Sequence, residues 1–230
     1  MSDNLKFRFL SKEDIDDILK LTGEINAKIK TRSIFSEDTK EELEEVLDNG
    51  GHFLGVYDGD DLIAYRGVKI PDEDSNVAKF IKNFEIPLDK VLINDTVVVK
   101  EDYRGRNLQN RTRDEIAKKF EDTQYTHRMG TVSPMNPHSF NNTFKSGYNI
   151  IGLEKLYPDE HNPDGYYRFI VHKSDDVEYY FTGNEKYIHH EDIDKIKEAI
   201  DEFFYGVEID KDGYILFKEA DVKVKDDDSH

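Results

Sequence analysis

Val97 to Asn110 reads VVVKEDYRGRNLQN, and the fold turns on how this stretch is read. A β-branched run, a short charged turn and an Arg-Gly-Arg opening onto helix-forming sequence give strand, turn and helix N-terminus in that order. The first N–H groups of a helix lack intrahelical partners and carry partial positive charge. The junction is therefore suited to a phosphate or pyrophosphate. Gly105 lets the backbone approach such a group closely. The turn has neither the Lys-Ser/Thr ending of a P-loop nor the three glycines of a dinucleotide fold.

Tyr103-Arg104-Gly105-Arg106-Asn107-Leu108-Gln109 resembles the coenzyme A loop of the GCN5-related N-acetyltransferase (GNAT) family. That loop reads Arg/Gln, two residues, Gly, one residue, Gly/Ala. Arg104 fits the first position, while Asn107 and Gln109 stand where small residues are expected. Asn tolerates positive φ; Gln109 has to point away from the ligand or donate its amide to a phosphate oxygen. A second segment, Thr131 to Tyr148 (TVSPMNPHSFNNTFKSGY), resembles the family's fifth strand and fourth helix. Asn136, Ser139, Gly147 and Tyr148 fall at the family's spacing there, and Thr143 occupies the place of its frequent Tyr general acid.

The resemblance implies an α+β fold, a mixed central sheet flanked by helices, and acetyl transfer from acetyl-CoA to a primary amine by direct attack. It gives backbone N–H groups of Arg104, Gly105, Arg106, Asn107, Leu108 and Gln109 to the pyrophosphate, and the strand edge Val97, Val98 and Val99 to the pantetheine amides. Asn136 would hold the pantetheine, and Ser139 or Thr143 would offer a hydrogen bond near the sulfur. Asp95, on the strand before the loop, would take the ammonium proton. Strict alternation puts Asn94 and Thr96 on the face opposite Asp95. Asn107, Gln109 and the missing phenol favour an alternative, a CoA-binding sensor or interaction module on the same fold without turnover.

Composition narrows the partners. The chain has 230 residues, no cysteine and a net charge of −18. Disulfides, cysteine catalysis and thiolate metal sites are excluded, and nucleic acid is a poor partner for so acidic a surface. Residues 100 to 119 are the exception: seven basic against four acidic residues leave +3 there and −21 elsewhere. That patch would steer an anionic cosubstrate, and the acidic remainder a cationic amine acceptor. No run reaches transmembrane length, and the N-terminus lacks a secretory pattern, so a cytoplasmic protein that does not engage membranes is expected. The histidines show no metal-ligand spacing, and no metal is expected. His138, inside the Thr131 to Tyr148 segment, is read as solvated surface or a substitute proton shuttle.

Periodicity predicts strands at 7–9, 52–57, 62–70, 91–99, 129–133, 148–156 and 166–172. Helices are predicted after a capping box at Ser11 to Asp14 and at 36–47, 106–120 and 137–145, with a polar insertion from Pro71 to Pro87 around an amphipathic piece at 77–84. The GNAT-like domain is placed at 1–173. A small β-α-β-hairpin extension is expected at 174–225, packing as an acceptor cover or a homodimer contact. Within it the sequence predicts a strand at 178–181, a turn at Thr182-Gly183-Asn184, a helix at 191–204 and a hairpin about Lys211-Asp212-Gly213. Residues 226–230 are read as a disordered tail. Glu208, Asp210, Asp212, Gly213 and Glu219 also fit EF-hand offsets, in competition with the hairpin.

Overall fold

The computed structural model describes residues 5–27 and 38–225, which form two compact units. The tail expectation and the first two residues of the helix expected at 36–47 lie outside the described residues. The first unit comprises the described residues up to Pro71 together with Leu92–Gln124. Its strands are β1 (Lys6–Leu10), β2 (His52–Asp58), β3 (Asp61–Lys69) and β4 (Val91–Val99), its helices α1 (Ile15–Asn26), α2 (Lys40–Asp48) and α3 (Leu108–Ala117). The strands run antiparallel in the order β1-β2-β3-β4, with Phe9 opposite Leu54, Gly55 opposite Tyr65 and Tyr65 opposite Val98.

Both faces of that sheet are covered. Ile15, Ile18 and Leu21, at helical spacing on α1, pack with Leu43 of α2 against Phe53, Tyr65 and Val98. Val56, Ile63 and Ala64 on the other face meet Leu108, which anchors the start of α3. Each such side chain contributes about 1.5–3 kcal/mol when fully buried. Both helix starts with a Ser or Thr signal are capped: the Asp14 carboxylate accepts from Ser11 N at 2.8 Å, and Glu42 accepts from Thr39 N at 2.6 Å.

The second unit comprises Asp72–Val91 and the described residues from Tyr125 onward. It contains β5 (His127–Val132), α4 (Pro137–Lys145), β6 (Asn149–Leu156), β7 (Tyr166–Ser174), β8 (Val177–His189), α5 (Ile193–Asp201), β9 (Phe204–Ile209) and β10 (Tyr214–Val224). Strand order is β5-β7-β6-β9-β10-β8, and the ladders are antiparallel. Residues 72–91 carry two short 3-10 turns, Val77–Phe80 and Leu88–Lys90. Asn76 ties them together: its Oδ1 accepts from Ala78 N and its Nδ2 donates to Leu88 O, both at 3.0 Å.

The α+β class, sheets flanked by helices, is as expected. The boundary expected at 173 does not separate compact units. Phe140, Ile150 and Phe169 share one core with Ile196, Ile200, Phe204, Ile215 and Phe217, so the expected extension completes the core of residues 125–173. The charged Ser174-Asp175-Asp176 run is a tight turn between β7 and β8, with Asp176 N donating to Ser174 Oγ at 3.1 Å. The expected turn at Thr182-Gly183-Asn184 is instead an irregularity inside the continuous β8. Pairing with β10 holds on both sides, Phe181 opposite Ala220 and Glu185 opposite Lys218, and Glu219 accepts from Thr182 Oγ1 and Asn184 Nδ2.

The hairpin about Lys211-Asp212-Gly213 forms, with Asp210 Oδ1 accepting from Asp212 N and Tyr214 N at 2.9 Å each. The EF-hand reading is thereby divided between a turn and a strand. Among the described residues, no group of three or more His, Asp or Glu side chains is placed to hold a metal ion. No helix among them is long and apolar enough to cross a membrane.

Candidate active site

β4 ends at Val99, and Lys100 N donates to Ile63 O at 2.9 Å, the last tie to the sheet before the chain turns outward. Glu101–Tyr103 form a short 3-10 turn, followed by the exposed residues Arg104, Gly105, Arg106 and Asn107. Gly105 adopts φ +78° and a Cβ there would meet nothing within 4 Å, so the glycine is required by backbone conformation and not by crowding. Asn107 is left-handed at φ 57°, ψ 24°, and stands as the N-cap of α3. Its side chain does not cap. Oδ1 accepts instead from Asn110 Nδ2 at 2.8 Å, and the first helical turn is left without a side-chain cap.

Beneath that turn lies Arg66 of β3, 2% exposed. Its guanidinium donates to Gln109 O at 2.9 Å and to Thr112 Oγ1 at 3.2 Å, fixing the backbone of half-buried Gln109 from inside. A buried cation under a helix N-terminus adds to the positive potential there. Arg106 lies over the Tyr103 ring at 4.8 Å, and the Tyr103 hydroxyl donates to Asp58 at 2.7 Å, so the outer wall of the loop is braced as well.

Val97 and Val99 of β4 lie opposite Arg66 and Ala64, and Val98 is buried in the core. Upstream the register slips: Val97 faces Arg66 while Asn94 faces Val68, which sets Asp95 and Thr96 together against Gly67. This bulge overrides the expected alternation. Thr96 Oγ1 comes within 3.5 Å of Asp38 Oδ2, and Asp95 is close enough to act on the same carboxyl. Asp95 Oδ1 is ion-paired with Lys69 Nζ at 3.0 Å.

Asp38 is the residue that sequence reasoning missed. Burial, and secondly the Asp95 charge, push its carboxyl from an ordinary 3.8 up to about 6, against the opposing pull of Lys69. A carboxylate poised there is protonated in mild acid and a competent base at neutral pH. Tyr65, 1% exposed, shares a 2.9 Å hydrogen bond with Thr22, and burial raises its phenol so that it keeps its proton.

In the second unit, Asn136 Oδ1 accepts from Ser139 N at 3.2 Å and caps α4. Ser139 is half-buried, while His138 beside it is exposed. Thr143 is 7% exposed and donates its hydroxyl to Ser139 O at 3.0 Å, which commits that proton to the helix backbone. Tyr148 is buried in the core.

Neither protein-family models nor curated protein sequences give a match to the chain. Solved structures do. A GNAT-family acetyltransferase from Streptococcus pneumoniae superposes with a TM-score of 0.53 at 14% identity, covering 74% of this chain and 99% of that one. The fold is that of the GNAT acetyltransferases. An N-acetyltransferase from Staphylococcus aureus gives 0.56 at 13% identity over 75% of this chain and 98% of its own. The PaiA N-acetyltransferase of Thermoplasma acidophilum, solved with coenzyme A, gives 0.50 at 17% identity over 75% and 99%. At these identities the likeness is one of GNAT fold, and what the site does rests on its own residues.

Proposed function

We propose that the chain is an acyl-CoA-dependent N-acyltransferase that transfers acetyl from acetyl-CoA to a primary amine. The observation that carries this reading is the start of α3, where Gly105 and left-handed Asn107 turn the backbone, no side chain caps the first turn, and Arg66 is buried beneath. Arg104 N donates to Glu101 O at 3.1 Å, so the backbone N–H groups from Gly105 to Gln109 would hold the pyrophosphate, and the Val97–Val99 backbone would pair with the pantetheine amides. From Val99 back to Asp95 is four residues of strand, roughly 13 Å, a distance suited to an extended arm that ends in a thioester. The coenzyme A bound to the Thermoplasma relative is consistent with such a donor.

In this reading the acceptor arrives as an ammonium and loses a proton to the Asp38/Asp95 pair. Burial, and secondly the Asp95 charge, raise Asp38, which makes it a base suited to near-neutral pH. The freed amine attacks the thioester carbon, the new C–N bond replaces the C–S bond, the thiolate leaves, and the nitrogen sheds its second proton to solvent. Thr143 donates its proton elsewhere, so solvent protonates the thiolate. The same feature favours the second reading, a CoA-binding module without turnover. Thiol release measured over a panel of primary amines decides: acetyl-CoA binding with no amine-dependent thiol supports the module and rejects the enzyme.

A further inference from the structure

Arg168 of β7 is 6% exposed, yet no carboxylate among the described residues lies within ion-pair distance of it. Glu154 is its cross-strand neighbour on β6 and does not reach it. Among the described residues the guanidinium makes one hydrogen bond, from Nη1 to Tyr167 O at 3.1 Å. Arginine carries five N–H donors in a fixed fork, so most of its capacity is unused. Its other nitrogens are not among the sealed, partnerless polar atoms, which means they keep a path to solvent. The surroundings are aromatic: the charge sits 5.6 Å from the Tyr157 ring centroid and 5.7 Å from that of Tyr166.

The walls are held in place before any ligand arrives. Tyr157 has a left-handed backbone at φ 59°, unusual for a bulky side chain, and its hydroxyl shares a 2.9 Å hydrogen bond with Thr131. The Tyr166 hydroxyl donates to both oxygens of Asp159, whose Oδ1 also accepts from His161 N and Asn162 N. Gly165 closes the loop at its base, where a Cβ would fall 2.7 Å from Leu156 O. Strain kept at one position and rigid bracing around an under-used buried cation are the marks of a prepared binding site.

We propose that Arg168, walled by Tyr157 and Tyr166, is a recognition site for the carboxylate of a small organic acid. A carboxylate is planar and takes a guanidinium fork through two parallel hydrogen bonds, and it fits between two rings.

The test is titration of the full chain with benzoate and with N-acetylphenylalanine, beside benzamide and N-acetylphenylalanine amide as neutral controls. The readouts are calorimetry and the Arg168 Nε–H resonance. Saturable binding of the acids, a shift of that resonance, at least tenfold weaker binding in Arg168→Lys and no response to the amides support the site. Equal binding of acids and amides, or an unchanged affinity in Arg168→Lys, overturns it. Tyr157 is 44% exposed, so Tyr157→Leu is a second variant that keeps the fold. It should weaken the acids several-fold, and wild-type affinity in it also overturns the proposal.

Discussion

Replacing Asp38 with Asn should stabilise the protein at alkaline pH and not at acidic pH. The folded state holds the Asp38 proton more tightly than the unfolded chain does, with a pKa of about 6 against 3.8. Stability is therefore complete below the unfolded value, declines as pH rises through the interval, and levels off above about 6. A difference of that size corresponds to about 3 kcal/mol at pH 8, and solvent access lowers the expected gain to about 1–3 kcal/mol. Asn keeps the oxygen that accepts from Thr96 Oγ1. Urea unfolding of both proteins at pH 4.5, 6 and 8 reads the effect as a midpoint shift of up to about 1 M at pH 8, shrinking toward zero at pH 4.5. A midpoint difference that is the same at all three pH values, or a variant less stable at pH 8, would refute the reasoning.

The same carboxyl predicts that amine-dependent thiol release rises with pH through about 6 with loss of one proton, and that Asp38→Asn lowers the rate about 100-fold at pH 7.5. His127 and His172, 1% and 0% exposed and bonded Nδ1 to Nε2 at 3.0 Å, are both held neutral by burial. Their folded pKa values lie below the unfolded one, so the stability they contribute is present above about pH 6.5 and lost as pH falls; His172→Gln should flatten the slope of unfolding midpoint against pH between 6.5 and 4. Arg66→Met should cost about 2–4 kcal/mol in chemical denaturation, through loss of the two charge-assisted hydrogen bonds to the Gln109 carbonyl and the Thr112 hydroxyl, and should weaken coenzyme A binding in calorimetry. Asn107→Gly should leave stability unchanged or slightly raised, whereas Asn107→Leu should lose about 1 kcal/mol at the left-handed position.

Where local pattern and tertiary pairing agree, the elements were readable: β4 at 91–99 and α4 at 137–145 have the bounds their sequence implies. Where they compete, long-range pairing wins. Gly183 signals a turn locally, but β10 pairs with β8 on both sides of it. The charged run after Lys173 resembles a linker only as long as the shared core of Phe169 and Phe217 is out of view. The candidate site was legible in its backbone parts, the Gly105 turn and the start of α3, because those depend on local conformation. Asp38 was not legible, since its raised pKa arises from residues distant in sequence. Arg66 and Arg168 did leave a signal, a lone arginine inside an otherwise apolar strand run, which marks a buried charge.

The central claim is that main-chain amides at the start of α3 receive a pyrophosphate. Titrating coenzyme A into isotope-labelled protein and following backbone amide resonances tests it directly. The account predicts saturable shifts centred on Gly105 to Asn110. Unmoved resonances in that turn at saturating coenzyme A, or shifts confined to other elements, would contradict it.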